Sequence, residues 1–422
     1  MPKTAINSQI ELNAVLATPL MLANNKQTTY LRVGLTGFHL KKENIAPINV
    51  ALVIDKSGSM RGERIHQAKE AAIMTVERLR QSDIISVVTY DHQAKILLPA
   101  TLVVDKEKIT AAINKLVAGG NTALFDGIEK GAKEIRKFWK KERVNRIILV
   151  SDGLANVGPN SPQELGKLGT FLSHENIAVT TMGLGLGYHE DLMTELARKS
   201  DGNHAFAEQA PALIQIFNHE FRDIFSVVAQ EVNVSIICTK GVNPIRVLGR
   251  EAKIQGQQVS VKLNQLYSKQ EKYVLLELEV PPTKAGQERA VAGVAVAYQK
   301  MDTNTTDRLS CIIMATFTDS QQQVTKKTNA TVMTTVAEQL AVAKNKLAVK
   351  LRDEGKIKEA QQTLWDNATR LAEEAAKYNS KTLEKLRTIN LADAMNLDEK
   401  NWVKQRKRMR QEQYKLEIQQ KY

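Results

Sequence analysis

The chain has 422 residues, 43% of them hydrophobic and 25% charged, an ordinary globular composition with apolar material for more than one core. Its formal net charge of +13 favours an acidic partner, whether protein, nucleic acid or membrane surface, but serves solubility equally well. Only two cysteines are present, Cys238 and Cys311, which excludes a disulfide scaffold and a thiolate zinc site.

Both cysteines lie in alternating apolar stretches and are expected as buried free thiols of a reduced compartment, although in an exported chain they could pair across a sandwich. Met1-Pro2-Lys3-Thr4 leads straight into polar residues, without the basic-then-apolar pattern of a signal segment. No apolar run reaches the ~20 residues that a transmembrane helix requires. The expectation is a soluble, cytoplasmic protein.

Residues 6–40 alternate apolar and polar, with Ile10, Leu12, Ala14 and Leu16 on one face and Leu31, Val33 and Leu35 on another. Asn24-Asn25-Lys26 supplies turn chemistry between them, so a hairpin or a pair of sheet strands is predicted. From Ile48 the pattern changes. Ile48-Asn49-Val50-Ala51-Leu52-Val53-Ile54 is nearly continuously apolar, as a strand buried on both faces should be. Ile65, Ala68, Ala72, Val76 and Leu79 then follow at helical spacing. Further strands are predicted at 84–90, 96–104, 146–151, 177–182 and 204–207. Helices are predicted near 106–117, 123–140, 162–174, 189–199 and 211–227. Strands alternating with helices give a doubly wound, mostly parallel sheet.

Beyond Val228 the period of two returns, in Val232, Val234 and Ile236, in Val259, Val261 and Leu263, and in Val274, Leu276, Leu278 and Val280. Punctuated by Gly and Pro, this stretch predicts an antiparallel β-sandwich of short strands. Residues 1–47 are expected to supply strands to the same sandwich as 228–325, with the α/β region 48–227 inserted between them. A helical region, 326–422, follows: a helical hairpin on either side of Glu354-Gly355-Lys356, then a basic helix near 398–418 carrying Lys404-Gln405-Arg406-Lys407-Arg408-Met409-Arg410. That basic run is either a solvated face or a docking surface for an acidic partner. Its sparse aromatics argue against single-stranded nucleic acid.

The residues that carry chemistry sit where strands of the parallel sheet end. Asp55, Ser57 and Ser59 follow the first strand at D-x-S-x-S spacing, Thr122 lies at the loop-to-helix junction Gly120-Asn121-Thr122-Ala123, and Asp152 follows Val150-Ser151. Ligands of open α/β sheets bind outside the carboxyl ends of the strands, so these segments can meet. Two carboxylates and three hydroxyls form an all-oxygen set suited to Mg²⁺, Ca²⁺ or Mn²⁺ and unsuited to Zn²⁺ or Cu²⁺. The alternative is that Asp55 and Asp152 only cap turns. The seven histidines are scattered singly, with no zinc-binding pattern, and Gly183-Leu184-Gly185-Leu186-Gly187 departs from G-x-G-x-x-G.

Taken in order, the three segments resemble the metal-ion-dependent adhesion site of von Willebrand factor type A domains, over about residues 48–227. The resemblance implies Ser57, Ser59 and Thr122 as direct ligands, with Asp55 and Asp152 acting through bound water. It also implies a non-catalytic module whose ion is completed by an Asp or Glu of a protein partner. The flanking strands look like bacterial members of that superfamily and, more loosely, like inter-alpha-trypsin inhibitor heavy chains. Two rivals remain: an assembly subunit whose metal mainly stabilises it, and a hydrolase, for which the sequence offers no convincing base.

Overall fold

The computed structural model describes residues 3–6, 9–40 and 45–420. Met1, Pro2, Asn7, Ser8, residues 41–44 and residues 421–422, which the boundaries above include, lie outside the described residues. The chain forms two compact units. One takes in Leu40–Gln230 with Met301–Asn304 and Gln420–Tyr422, the other Met1–His39, Glu231–Lys300 and Thr305–Gln419.

The chain begins with β1 (Lys3–Ile6), β2 (Ile10–Leu16), β3 (Leu20–Leu22) and β4 (Gln27–Gly37). The α/β unit then runs β5 (Ile48–Asp55), α1 (Glu63–Arg78), β6 (Ile84–Tyr90), β7 (Ala94–Leu102), α2 (Lys106–Asn114), α3 (Leu124–Lys137) and β8 (Val144–Ser151). It continues through α4 (Pro162–His174), β9 (Ile177–Leu184), α5 (Glu190–Lys199), β10 (His204–Ala207) and α6 (Ala212–Ile224). Its sheet has the order β10-β9-β8-β5-β6-β7. Every pairing is parallel except that of the edge strand β7 with β6.

All eight residues of β5 are buried, which is why its sequence is apolar on both faces. The one amide in that run, Asn49, donates to the Ile135 carbonyl at 2.9 Å and to Asn145 Oδ1 at 3.0 Å. Helix α3 lies close on the sheet because Gly127 and Gly131 face it. A β-carbon on Gly127 would come within 2.8 Å of the Tyr90 ring, and one on Gly131 within 2.7 Å of Val53. Helix α6 is tied to the sheet by a buried ion pair. Arg146 of β8 meets Glu220 at 3.3 Å, and the Thr180 hydroxyl bridges the two.

The second unit contains two sheets and a helical layer. Its later strands are β11 (Val227–Cys238), β12 (Asn243–Leu248), β13 (Lys253–Gln255), β14 (Gln258–Tyr267), β15 (Glu271–Val280), β16 (Glu288–Lys300) and β17 (Thr306–Thr318). One sheet has the order β1-β2-β4-β15-β12 and the other β13-β14-β11-β16-β17-β3. Strands β16 and β17 are 13 residues each, not short as expected; Pro281-Pro282 and Gly286 fall before β16 rather than inside it. The N-terminal segment is also more than a hairpin. β2 and β4 pair with each other, but β3 between them leaves for the opposite sheet and pairs parallel with β17. Cys238 and Cys311 form no disulfide.

The helices are α7 (Gln321–Lys327), α8 (Ala330–Asp353), α9 (Ile357–Tyr378), α10 (Lys381–Met395) and α11 (Glu399–Ile418). α8 and α9 are the expected hairpin and α11 the expected basic helix, whereas α7 and α10 were not anticipated. The basic helix is not a free-standing charged rod: Lys407, Met409, Tyr414 and Ile418 are buried. Arg406 pairs with Asp353 at 2.9 Å, and Lys346 of α8 pairs with Glu417 at 2.5 Å. Among the described residues, no helix is long and apolar enough to cross a membrane.

Candidate metal centre

Strand β5 sits between β8 and β6. Its connection through α1 leads to β6, while β8 continues through α4 to β9 on the opposite side. The carboxyl ends of β5 and β8 therefore flank the switch point of the sheet, where the departing loops leave a crevice. Asp55 is the last residue of β5 and Ser151 the last of β8.

Asp55 organises the loop that follows it. Its Oδ1 accepts from the Ser57 backbone N–H at 2.8 Å and its Oδ2 from the Ser151 hydroxyl at 2.8 Å. A short 3-10 turn over Gly58–Met60 brings Ser59 round, so that Ser57 Oγ and Ser59 Oγ lie 3.0 Å apart. The Ser59 hydroxyl then donates to Asp152 Oδ1 at 2.7 Å. Asp55, Ser57, Ser59 and Asp152 are thus joined in one cluster of oxygens.

Thr122 reaches the same place by a different route. Gly58 N–H donates to the Gly120 carbonyl at 2.9 Å and Gly119 N–H to the Lys56 carbonyl at 2.5 Å, which zips the 119–122 loop to the β5–α1 loop. Gly120 adopts φ +96°, and a β-carbon there would lie 2.8 Å from that of Asp91, so only glycine fits. Thr122 N–H donates to Asn156 Oδ1 at 3.0 Å, and the Asn156 N–H returns to the Thr122 carbonyl at 3.2 Å. A β-carbon on Gly153 would stand 3.2 Å from Thr122 Oγ1, 3.6 Å from Ser59 Oγ and 3.7 Å from Asp55 Oδ2. The structure therefore brings all five sequence-predicted residues together, Asp55, Ser59 and Thr122 around the space that Gly153 leaves open and Ser57 and Asp152 within hydrogen-bond reach of Ser59.

The electrostatics are uneven. Asp55, Ser57, Thr122 and Asp152 are buried and Ser59 is exposed, so the cluster opens to solvent on the serine side. Burial pushes the Asp55 carboxyl up to about 6, against the hydrogen bonds from Ser57 and Ser151. Asp91, close to the loops, is already committed. Burial works to raise it, but Lys56, the Gln93 backbone and His92 hold it below its ordinary value. Asp152 Oδ2 accepts from Arg64 of α1 at 2.5 Å.

The donor set fits a hard divalent ion, being oxygen throughout and rich in hydroxyls that can turn a lone pair inward. Among the described residues no group of three or more His, Cys, Asp and Glu side chains is placed to hold a metal. A site here must therefore rely on Ser57, Ser59 and Thr122 beside its two carboxylates. Sequence reasoning missed Ser151, Arg64, Lys56 with Asp91, and Asn156. Ser151 was within reach, as a polar strand-end residue next to Asp152, but nothing in the sequence marks the others.

Comparison with known proteins agrees with this architecture. Residues 49–219 match the von Willebrand factor type A domain family. An uncharacterized protein of Synechocystis sp. is 29% identical over 274 residues, 63% of this chain and 64% of the relative. Two others are matched over less of their lengths: E3 ubiquitin-protein ligase WAV3 of Arabidopsis thaliana over 32% and inter-alpha-trypsin inhibitor heavy chain H3 of Homo sapiens over 19%, at 26% and 24% identity. The chain spans less than two thirds of each of these relatives. Among solved structures, the von Willebrand factor type A protein of Catenulispora acidiphila superposes with TM-score 0.75 at 15% identity, covering 92% of both chains. The ArnB paralog VWA2 of Sulfolobus acidocaldarius superposes with TM-score 0.66 at 18% identity, covering 96% of this chain and 98% of that one. These likenesses span both units and carry the fold. The strand order, the crevice and the family match lead to one conclusion: the chain carries a von Willebrand factor type A domain, built by residues 49–219.

Proposed function

We propose that the crevice holds a hard divalent cation, with Mg²⁺ foremost and Ca²⁺ or Mn²⁺ as alternatives, and uses it to bind a partner protein that presents an Asp or Glu. The observation that carries this reading is the oxygen cluster that ends on exposed Ser59. Ser57, Ser59 and Thr122 would contact the ion directly, with Asp55 and Asp152 behind them. The bound ion supplies a positive point charge at the protein surface. Because the three hydroxyls are neutral, they leave that charge available, and a carboxylate from outside completes the shell with a charge-assisted contact. The hydrogen bonds from the 119–122 loop and Ser151 fix the donors before anything binds, which lowers the ordering cost of association.

The reading is of a non-catalytic module. It extends to a cytoplasmic location, motivated by two cysteines that form no disulfide; an oxidised Cys238–Cys311 bridge in protein isolated from cells would refute that part. The basic helix α11 is a second candidate contact surface, for an acidic partner. The central test is calorimetry of the full chain with Mg²⁺. Wild type should bind about one equivalent, and Ser57→Ala with Ser59→Ala should abolish it while the far-ultraviolet spectrum is unchanged. Capture of partner proteins should be lost both with chelator and in the double variant. Equal Mg²⁺ affinity in the two proteins refutes the ligand assignment. Metal-independent capture refutes the partner reading and leaves a stabilising ion.

A further inference from the structure

The cation that the cluster already holds comes from the protein itself. Arg64 stands in the first turn of α1. Its Nη1 donates to Asp152 Oδ2 at 2.5 Å and to the Ser59 carbonyl at 3.3 Å. The other side of the guanidinium lies over Gly185, where a β-carbon would come within 3.0 Å of Nη2. Gly185 has φ +70°, so this glycine both makes the turn after β9 and leaves the space through which Arg64 reaches the crevice. The Asp152 side chain is fully buried while that of Arg64 is 38% exposed. The carboxylate is fixed, and the guanidinium is the member of the pair that can leave.

We propose that Arg64 is an internal counter-cation of this site, which neutralises Asp152 in the metal-free protein and competes with the divalent ion for it. The inference rests on the proposed metal reading and deepens it by naming the residue that sets the affinity. Two physical terms act in the same direction. A guanidinium beside the site repels an incoming divalent ion. It also stabilises the metal-free state, because a buried carboxylate stripped of its partner carries an uncompensated charge. Removing Arg64 therefore weakens the empty state and favours the loaded one. Loading the ion in turn frees a forked donor at the rim, beside exposed Ser59, where a partner's carboxylate would arrive.

The test is a Mn²⁺ titration of the full chain by calorimetry, for wild type, Arg64→Gln and Arg64→Lys. Arg64→Gln should bind Mn²⁺ about three- to tenfold more tightly, as expected for one partly solvated unit charge. Arg64→Lys, which keeps the charge, should stay close to wild type. Thermal melts supply a second readout. Arg64→Gln should melt lower than wild type without metal, and saturating Mn²⁺ should raise its midpoint by more than it raises that of wild type. Equal or weaker Mn²⁺ binding by Arg64→Gln overturns the proposal while leaving the metal site standing. If wild type binds no Mn²⁺ that Ser57→Ala with Ser59→Ala removes, the metal reading fails and takes this proposal with it.

Discussion

Two buried carboxylates, one in each unit, show what separates the proposed binding site from a structural network. Asp55 ends a strand in the α/β unit, and Asp393 lies in helix α10 of the other. Burial pushes each carboxyl up to about 6. Asp393 is met by side-chain amides: Asn345 donates to Oδ2 at 3.0 Å and Gln405 to Oδ1 at 2.6 Å. Asn390, Asn367 and Gln413 extend that amide network. An amide nitrogen only donates, so it saturates a carboxylate and offers nothing to a cation. Asp55 is met by the Ser57 backbone N–H and the Ser151 hydroxyl, and Asp152 by the Ser59 hydroxyl. A hydroxyl donates to the carboxylate or, after rotating, presents a lone pair to an ion. Similar burial thus leaves one carboxylate saturated by amide donors, while the other lies among hydroxyls that suit the proposed ion.

The largest effect expected of this contrast is all-or-none. Saturating Mg²⁺ should raise the melting midpoint of wild type and of Asp393→Asn alike, and should do nothing for Ser57→Ala with Ser59→Ala. A shift abolished by Asp393→Asn would put the ion in the helices and break the comparison. Next comes Gly120→Ala. A side chain at φ +96° that also meets Asp91 should cost about 2–4 kcal/mol in chemical denaturation, and should weaken Mg²⁺ binding by displacing Thr122. A neutral Gly120→Ala would mean that the loop is held elsewhere.

The third effect is a pH dependence. The folded Asp393 carboxyl, at about 6, stands above its ordinary 3.8, so the fold disfavours its charged form. This burden is absent below the ordinary value, grows as pH rises through the window from 3.8 to about 6, and is constant above it. Wild type should lose on the order of 3 kcal/mol across that window relative to Asp393→Asn. Parallel stability profiles for the two proteins would contradict the assignment. The smallest effect concerns the basic helix. Arg406→Ala removes a partly exposed pair with Asp353 and should cost under about 1 kcal/mol, less again in high salt. A salt-independent loss would point instead to packing of its stem.

How much of this was legible in the sequence follows from how local each signal is. β5 was readable because burial on both faces forces a continuous apolar run. The five site residues were readable because each is placed by a strand end or a helix start that can be located from the sequence. α10 was not. Its buried face is Leu383, Leu386, Asn390, Asp393 and Ala394, and the polar members that belong to the amide network erase the apolar period. β3 was not readable either: three residues carry no periodicity, and the partner strand β17 lies almost 300 positions on. Arg64 is silent for a third reason. An arginine in a first helical turn looks like any solvated charge until the fold brings Asp152 and Gly185 to it.

The pairing of β4 with β15 has a consequence in time. Arg32 and Glu271, joined by two hydrogen bonds, are 239 positions apart, and everything between them emerges from the ribosome first. The α/β unit closes through short strand–helix connections and can condense as soon as it is made, whereas β4, paired on one side with β2, must wait with its other ladder edge open until β15 is synthesised. The inward residues Leu12, Leu31, Val33 and Leu35 are fully buried in the finished protein, so during that interval they form an aggregation-prone apolar surface. Truncated nascent chains ending before residue 271 should therefore bind holdase chaperones through the N-terminal strands and release them once β15 is added. The long excursion between β4 and β15 thus makes strands synthesised before the α/β unit among the last to fold.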